Sequence, residues 1–308
     1  MNSNRYEIFL KVVELGNITR AAEALNYTQS GVSHAIAALE KETGFALFRR
    51  SSNGVTLTDN GKQILERVQS LVNQQRSLAQ TIANINHNVA GTIRVGTFTS
   101  VSSQWLPGII RSFSERYPLV DFELLDGNYD EIMEWITQGK IDCGFLTAPV
   151  PETLSFLPLK QDPLLVLMEP GHPLTQMETL ALEDIIKEPF IMPMKGSDND
   201  IRAVLKDTGS PPKVRYTLND DISVMAMVAN GFGISIMPEL IIRNVTFPMA
   251  RRPLDPPQYR NIGIVSLPVS AVTIVARAFL QYLGETDVIQ FESKPDNSWN
   301  QWHTDVVP

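Results

Sequence analysis

Between Thr19 and Gly44 the chain carries two amphipathic helical patterns whose spacing leaves little freedom in how they pack. Ala21, Ala22 and Leu25 give the first an inner face of small apolar groups, and Asn26 and Tyr27 then interrupt the pattern. Thr28 stands where a hydroxyl can satisfy the open amides of a second helix. In that helix Val32, Ile36 and Leu39 recur as one buried stripe, while Gln29, Ser30, Ser33 and His34 occupy the opposite face. Short polar side chains near the start of such a helix can reach base edges in a DNA groove. The periodicity alone also suits an ordinary helical hairpin with a polar outer face. Residues 47–58 favour the DNA reading. Leu47-Phe48-Arg49-Arg50 adds two apolar anchors and two guanidinium groups, and Ser51–Thr58 reads as a β-ribbon turning at Asn53-Gly54. A helix pair, a basic corner and a β-wing describe a winged helix-turn-helix in which Arg49 and Arg50 grip phosphate while the helix reads sequence.

Ala-Ala-Glu-Ala-Leu at 21–25, Gln-Ser-Gly-Val-Ser at 29–33, Leu-Glu at 39–40, Leu-Phe-Arg-Arg at 47–50 and Leu-Thr-Asp-Asn-Gly at 57–61 carry a resemblance. In order and without gaps over roughly residues 5–66, the chain resembles the N-terminal module of LysR-type transcriptional regulators. The resemblance implies that Gln29, Ser30, Ser33 and His34 face the DNA groove and that Arg50 holds the backbone beside the wing. With Thr19 and Arg49 these form the candidate DNA-binding set. Two residues depart from the expected pattern. Gly31 lies inside the recognition helix, where alanine would be about 1 kcal/mol better. His34 stands where many relatives carry arginine, and a neutral imidazole there would weaken the phosphate attraction and make binding sensitive to pH.

At 308 residues the chain calls for two or three domains. No apolar run approaches a membrane span, and the opening Met-Asn-Ser-Asn-Arg-Tyr-Glu lacks the apolar core of a secretion signal, so a cytoplasmic protein is expected. The single cysteine, Cys143, excludes a disulfide within the chain and reads as an inert, packed thiol in a buried strand. The net charge of −8 looks wrong for a DNA binder until it is divided. Residues 1–90 hold nine Lys or Arg against seven Asp or Glu, so the acidic excess lies wholly in the remainder. Such a weak basic footprint suggests that oligomerisation sums several modest modules into usable affinity.

From Thr58 to about Val89 there is no proline, and the one glycine, Gly61, falls in the first turn. Leu65, Val68, Val72, Ala79 and Ile82 recur in a three-four rhythm with Gln75 between them, which suits a helix pairing two chains or an amphipathic solvated linker. In the resembling family this helix dimerises, and the dimers usually form tetramers.

Beyond Gly91 strands and helices alternate. Strands are expected at 92–97, 120–125, 141–146, 164–168, 190–192, 214–218, 233–237 and 259–267, the last leading back to the first lobe, with a closing helix at 270–284. Alternation implies mainly parallel sheets. Two such lobes joined by two crossings make a cleft, the layout of a periplasmic-type binding protein and of the effector domain the resembling family carries. The expected fold is therefore α/β: a winged helix-turn-helix at 1–58, a linker helix at 59–89 and a two-lobed effector domain at 90–290. Lobe I covers about 90–162 and 268–290, lobe II about 163–267, and 291–308 form a disordered tail in which Trp299 and Trp302 stand out.

In open α/β sheets ligands sit beyond the carboxyl ends of the strands. Thr99, Ser100, Ser102 and Ser103 follow the first strand of the effector domain, Lys195 and Ser197 follow the 190–192 strand, and Asn219 precedes a helix. Gly127, Asn128 and Thr147 are further wall candidates, and Arg202 could add charge. Each cluster also suits plain helix capping, and the resemblance favours Thr99–Ser103 and Thr147 as ligand contacts. Asp198, Asp200, Asp220 and Asp221 speak against a simple multi-anion pocket, so the effector is expected to be a carboxylate or a zwitterion. Met192, Met194, Met225 and Met227 suit an adaptable apolar wall or plain core.

The sequence offers no enzyme signature. His172 sits in Pro-Gly-His-Pro, a turn, and the four histidines are scattered. There is no nucleophile elbow, phosphate-binding glycine loop or paired metal-ligand spacing, so no catalytic residue, metal or cofactor is expected. The expected function is a sequence-specific DNA-binding transcriptional regulator acting on double-stranded promoter DNA as an oligomer, modulated by a small molecule between the lobes. The alternative is a DNA-binding regulator without an effector, controlled by protein contacts or abundance.

Overall fold

The computed structural model describes residues 3–51, 54–85, 89–194, 196, 198–206, 210–243, 245–268 and 271–291. The chain divides into two compact units that meet in sequence at Asn88 and Val89.

The first unit runs α1 (Ser3–Leu15), α2 (Ile18–Ala24), α3 (Gln29–Thr43), β1 (Phe48–Ser51), β2 (Gly54–Leu57) and α4 (Asp59–Ile85). Asn17 caps α2 by accepting from the Thr19 and Arg20 amides. Between α2 and α3 Asn26 takes φ 56°, a left-handed turn that asparagine tolerates. Thr28 then caps α3 by accepting from the Gly31 amide, and Gly44 ends it at φ 83°. Val32, Ile36 and Leu39 pack with Ala21, Ala22 and Leu47. Helix α1, which lies outside the helix-turn-helix pattern, completes this core with Tyr6, Ile8, Phe9 and Val12. Glu40 fixes the wing to the end of α3, its Oε1 accepting from the Leu47 amide at 2.7 Å and the Phe48 amide at 3.2 Å. A Cβ on Gly54 would lie 2.4 Å from the Gly16 carbonyl, so only glycine lets the wing close on the end of α1.

The helix α4 is capped by Thr58, whose hydroxyl accepts from the Gly61 amide. At 27 residues it is about 40 Å long. Part of its expected stripe packs within its own unit. Val68 and Val72 are buried in the core of their own unit with Leu65 packed beside them, while Leu71 and Leu78 are 43% and 60% exposed.

In the second unit the chain runs β3 (Gly91–Thr97), α5 (Thr99–Gln104), α6 (Leu106–Arg116), β4 (Val120–Asp126), α7 (Tyr129–Thr137), β5 (Cys143–Thr147) and β6 (Ser155–Met168). It continues through β7 (Leu180–Ala181), α8 (Leu182–Ile185), β8 (Pro189–Pro193), α9 (Asn199–Leu205), β9 (Lys213–Leu218) and α10 (Asp221–Ala229). It ends with β10 (Ser235–Pro238), α11 (Glu239–Ile242), β11 (Ala250–Asp255), β12 (Tyr259–Ser266) and α12 (Ile274–Glu285). The sheets are mixed rather than mainly parallel. In lobe I the order is β4-β3-β5-β12-β6, with β3 parallel to β4 and β5, and β12 antiparallel to both its neighbours. In lobe II the second half of β6 pairs antiparallel with β10 and β11, and β8 runs parallel to β9. The cause is β6 itself, one 14-residue strand that serves both lobes, so the returning strands lie against it antiparallel. Strand β12 pairs with β5, which puts 259–266 in the lobe I sheet.

Lobe I is held by a core in which Phe113 meets Tyr117, Phe122, Phe279 and Tyr282. Gly96 lets α7 sit close on the sheet, since a Cβ there would lie 3.1 Å from Ile132 Cγ2 of that helix. Cys143 is buried in this core, where desolvation, helped by Asp142, pushes its thiol pKa well up and leaves it unreactive.

Candidate functional site

On the first unit Thr19, Gln29, Ser30 and His34 are exposed and Ser33 is half-buried, all at the start of α2 or α3. Gln29 Nε2 donates to Ser33 Oγ at 3.0 Å, one turn further along the same face. Arg49 projects from β1, 3.6 Å from the Asp59 carboxylate. Arg50 pairs with Val55 through its backbone, and its side chain lies outside the described residues. A helix start that presents hydroxyls and an amide, flanked by a cationic corner, can read base edges and hold phosphate.

In the second unit a cavity of about 300 Å³ opens beyond the carboxyl ends of the lobe I strands. Phe98, Thr99 and Ser100 enter it after β3, and Asp126, Gly127, Asn128, Tyr129 and Glu131 after β4. Lobe II answers with Met194, Gly196, Asp200, Ile201, Asn219 and Asp221, while Arg260 comes from β12. Its apolar floor is Ile236, Met237 and Ile241. The lobes touch here, since a Cβ on Gly196 would fall 2.9 Å from the Asn128 side chain.

Arg260 organises the polar half. Its Nε donates to Asp162 Oδ2 at 2.9 Å, Nη2 approaches the same oxygen at 2.7 Å, and Nη2 also donates to Ser100 Oγ at 2.8 Å. Its Nη1 donates to the Tyr129 hydroxyl at 3.0 Å, and the guanidinium lies 5.4 Å from the centre of the Phe98 ring. Burial works to lower its pKa, but Tyr129, Asp162 and Asp200 outweigh that effect, and the group stays charged. Asp162 accepts further from the Leu240 amide. Tyr129 donates to Asp200 Oδ2 at 2.9 Å, its own pKa pushed up by burial and by Asp200 against the pull of Arg260. Thr147 donates to Asp200 Oδ1 at 3.2 Å. Burial, with Asp220 in the same direction and Arg260 opposing, raises the Asp221 pKa. Burial and Glu131 raise that of Asp126.

Of the expected effector residues, Thr99, Ser100, Asn128 and Asn219 line the cavity. Ser102 and Ser103 turn their hydroxyls back onto the Thr99 and Ser100 carbonyls instead. Thr147 reaches Asp200 rather than the lining. Asn128 also caps α7 in a reciprocal pair with Glu131. Lys195 and Ser197 lie outside the described residues. Arg202 pairs with the buried Asp198. Met192 and Met225 are buried core and Met227 packs against the cluster that holds Met225, leaving Met194 on the cavity wall. His172 caps a short 3-10 turn by accepting from the Leu174 amide at Nδ1. Among the described residues no cluster of His, Cys, Asp and Glu could hold a metal, and no helix is long and apolar enough to cross a membrane.

Comparison with known proteins decides what this arrangement belongs to. A family profile described as the LysR substrate binding domain matches residues 86–287, and one described as the bacterial regulatory helix-turn-helix protein, lysR family, matches residues 3–62. The chain belongs to the LysR family of transcriptional regulators. A relative, the uncharacterised HTH-type transcriptional regulator YvbU of Bacillus subtilis (strain 168), is 30% identical over 288 residues, covering 92% of this chain and 98% of the relative. Among solved structures, a full-length OxyR variant from Pseudomonas aeruginosa superposes with TM-score 0.74 at 19% identity, covering 96% of this chain and 98% of that one. Full-length CbnR complexed with its target DNA superposes with TM-score 0.64 at 20% identity, covering 92% and 99%. This LysR-family protein is thus a DNA-binding transcriptional regulator with a substrate-binding domain, and its relatives are regulators rather than enzymes.

Sequence reasoning misses Arg260, Tyr129 and Asp162. A signal exists. Arg260 lies in phase with Ile262 and Ile264 on the buried face of β12, and a charge in that phase demands a buried counter-ion.

Proposed function

We propose that this regulator reads promoter DNA with Gln29, Ser30, Ser33 and His34 of α3. Thr19, Arg49 and Arg50 engage the adjoining backbone, and a small polar molecule held between the two lobes modulates the binding. The protein works in the cytoplasm as a dimer paired through α4 that assembles further to a tetramer. The observation that carries the effector half is a cavity whose walls come from both lobes and whose polar groups converge on one buried guanidinium. A ligand that touches both lobes binds one interlobe arrangement better than another, and that difference is what can shift DNA contacts.

The test uses the full-length protein and a DNA fragment from upstream of its own gene. Salt-dependent, sequence-specific binding over paired half-sites is expected. A metabolite at a hundred times its dissociation constant should raise the Tm by about 5–10 °C and alter the footprint. A footprint indifferent to every stabilising metabolite would leave a regulator governed by protein contacts or abundance.

A further inference from the structure

The charge lining the cavity is lopsided. Asp126 and Glu131 from lobe I and Asp200 and Asp221 from lobe II face one cation, Arg260. That cation is already matched, because Asp162 takes Nε and Nη2 while Ser100 and Tyr129 take further donors. Asp200 is likewise satisfied by Tyr129 and Thr147. Among the described residues no side chain hydrogen-bonds or pairs with the carboxylates of Asp126 or Asp221. Counting Lys195, the sequence neighbour of the lining residues Met194 and Gly196, still leaves the carboxylates in excess.

We propose that the cavity selects a ligand bearing a cationic nitrogen, an ammonium or guanidinium group placed between Asp221 and the Asp126–Glu131 side, and refuses acids that lack one. This selectivity rests on the effector function proposed for the cavity and narrows it. A carboxylate entering here meets like charge on both walls and a guanidinium with little left to donate. An ammonium meets the Asp126 and Asp221 carboxylates, with which no described side chain hydrogen-bonds or pairs, and offsets the repulsion that Glu131 exerts on Asp126 and Asp220 on Asp221. Zwitterions are admitted by their ammonium end. The cavity volume of about 300 Å³ limits the ligand to a small diamine, guanidine or amino acid, seated along the apolar floor of Ile236, Met237 and Ile241. Burial raises the pKa of Asp221 against the pull of Arg260, and burial and Glu131 raise that of Asp126.

The experiment is thermal shift and calorimetry on the full-length protein, with putrescine, agmatine and L-lysine set against succinate, glutarate and 2-oxoglutarate. At least one amine should stabilise the protein while the acids do not, and Asp221→Asn and Asp126→Asn should each weaken that amine about tenfold. Stabilisation by the acids alone would overturn the ligand class while leaving the effector reading standing. Amine binding unaffected by both substitutions would place it elsewhere and overturn the proposal. Silence from both classes would overturn it too. If a broader metabolite panel also left the footprint unchanged, the effector reading would fall with it.

Discussion

Asp221 shows how one side chain can carry both a stability cost and a function. It lies in the first turn of α10, half-buried on the cavity wall, with a pKa raised by burial and by Asp220. A carboxyl whose folded pKa is raised binds its proton more tightly in the folded state. Its stabilising contribution is therefore complete below the ordinary carboxylate pKa and is lost as pH rises through the raised value. Asp221→Asn should consequently raise the Tm of the unliganded protein at neutral pH by on the order of 1–3 °C and have little effect below the ordinary carboxylate pKa. Melting curves taken across that range check both the sign and the window. A destabilised variant at neutral pH would mean that Asp221 already has a partner. Little of this is legible in the sequence. Hydroxyls after β3 announce themselves as clusters, whereas Arg260, Asp162 and Asp221 are far apart in the chain and acquire meaning only when β6, β12 and α10 converge.

The elements themselves are better announced than their partners. The cap at Thr28, the stop at Gly44 and the pairing of β1 with β2 are readable because local backbone chemistry sets them. Gly31 looks like a weakness of about 1 kcal/mol, but a Cβ there would lie 3.1 Å from Thr28 Oγ1, the capping hydroxyl. The tight fit accounts for a residue that helix propensity alone disfavours. For α4 the heptad-like rhythm is visible, but which side faces outward is not, because the burial of Val68 and Val72 depends on α1. The exposed pair Leu71 and Leu78, seven residues apart, is the apolar face that the proposed dimer would use. The double substitution Leu71→Glu, Leu78→Glu should therefore dissociate the oligomer while leaving the helix content intact. Light scattering or sedimentation velocity combined with circular dichroism would decide. An unchanged assembly would put the self-contact elsewhere.

Across the whole molecule, a small basic surplus in residues 1–90 is attached to a strongly acidic remainder. With so few cations on the DNA-binding unit, each phosphate contact weighs heavily. Arg50→Ala should weaken binding to all sequences and lower the salt slope by about one, whereas Ser33→Ala should chiefly relax site preference. Fluorescence anisotropy on specific and scrambled DNA at several salt concentrations separates the two. Equal behaviour of the two variants would contradict the assigned roles. The alternation of strands and helices beyond Gly91 is foreseeable from periodicity, but the mixed sheets are not, since alternation says nothing about a single strand shared by both lobes. That shared strand has a consequence for how the protein can be rebuilt. Pro163 on β6 pairs with Tyr259 on β12, and the Leu164 amide donates to the Gln258 carbonyl at 2.9 Å. The chain that leaves for lobe II thus returns to the place it left. Lobe II is plugged into one socket, so exchanging it would replace one wall of the cavity as a block while the lobe I wall, with Asp126, Glu131 and Arg260, stays in place.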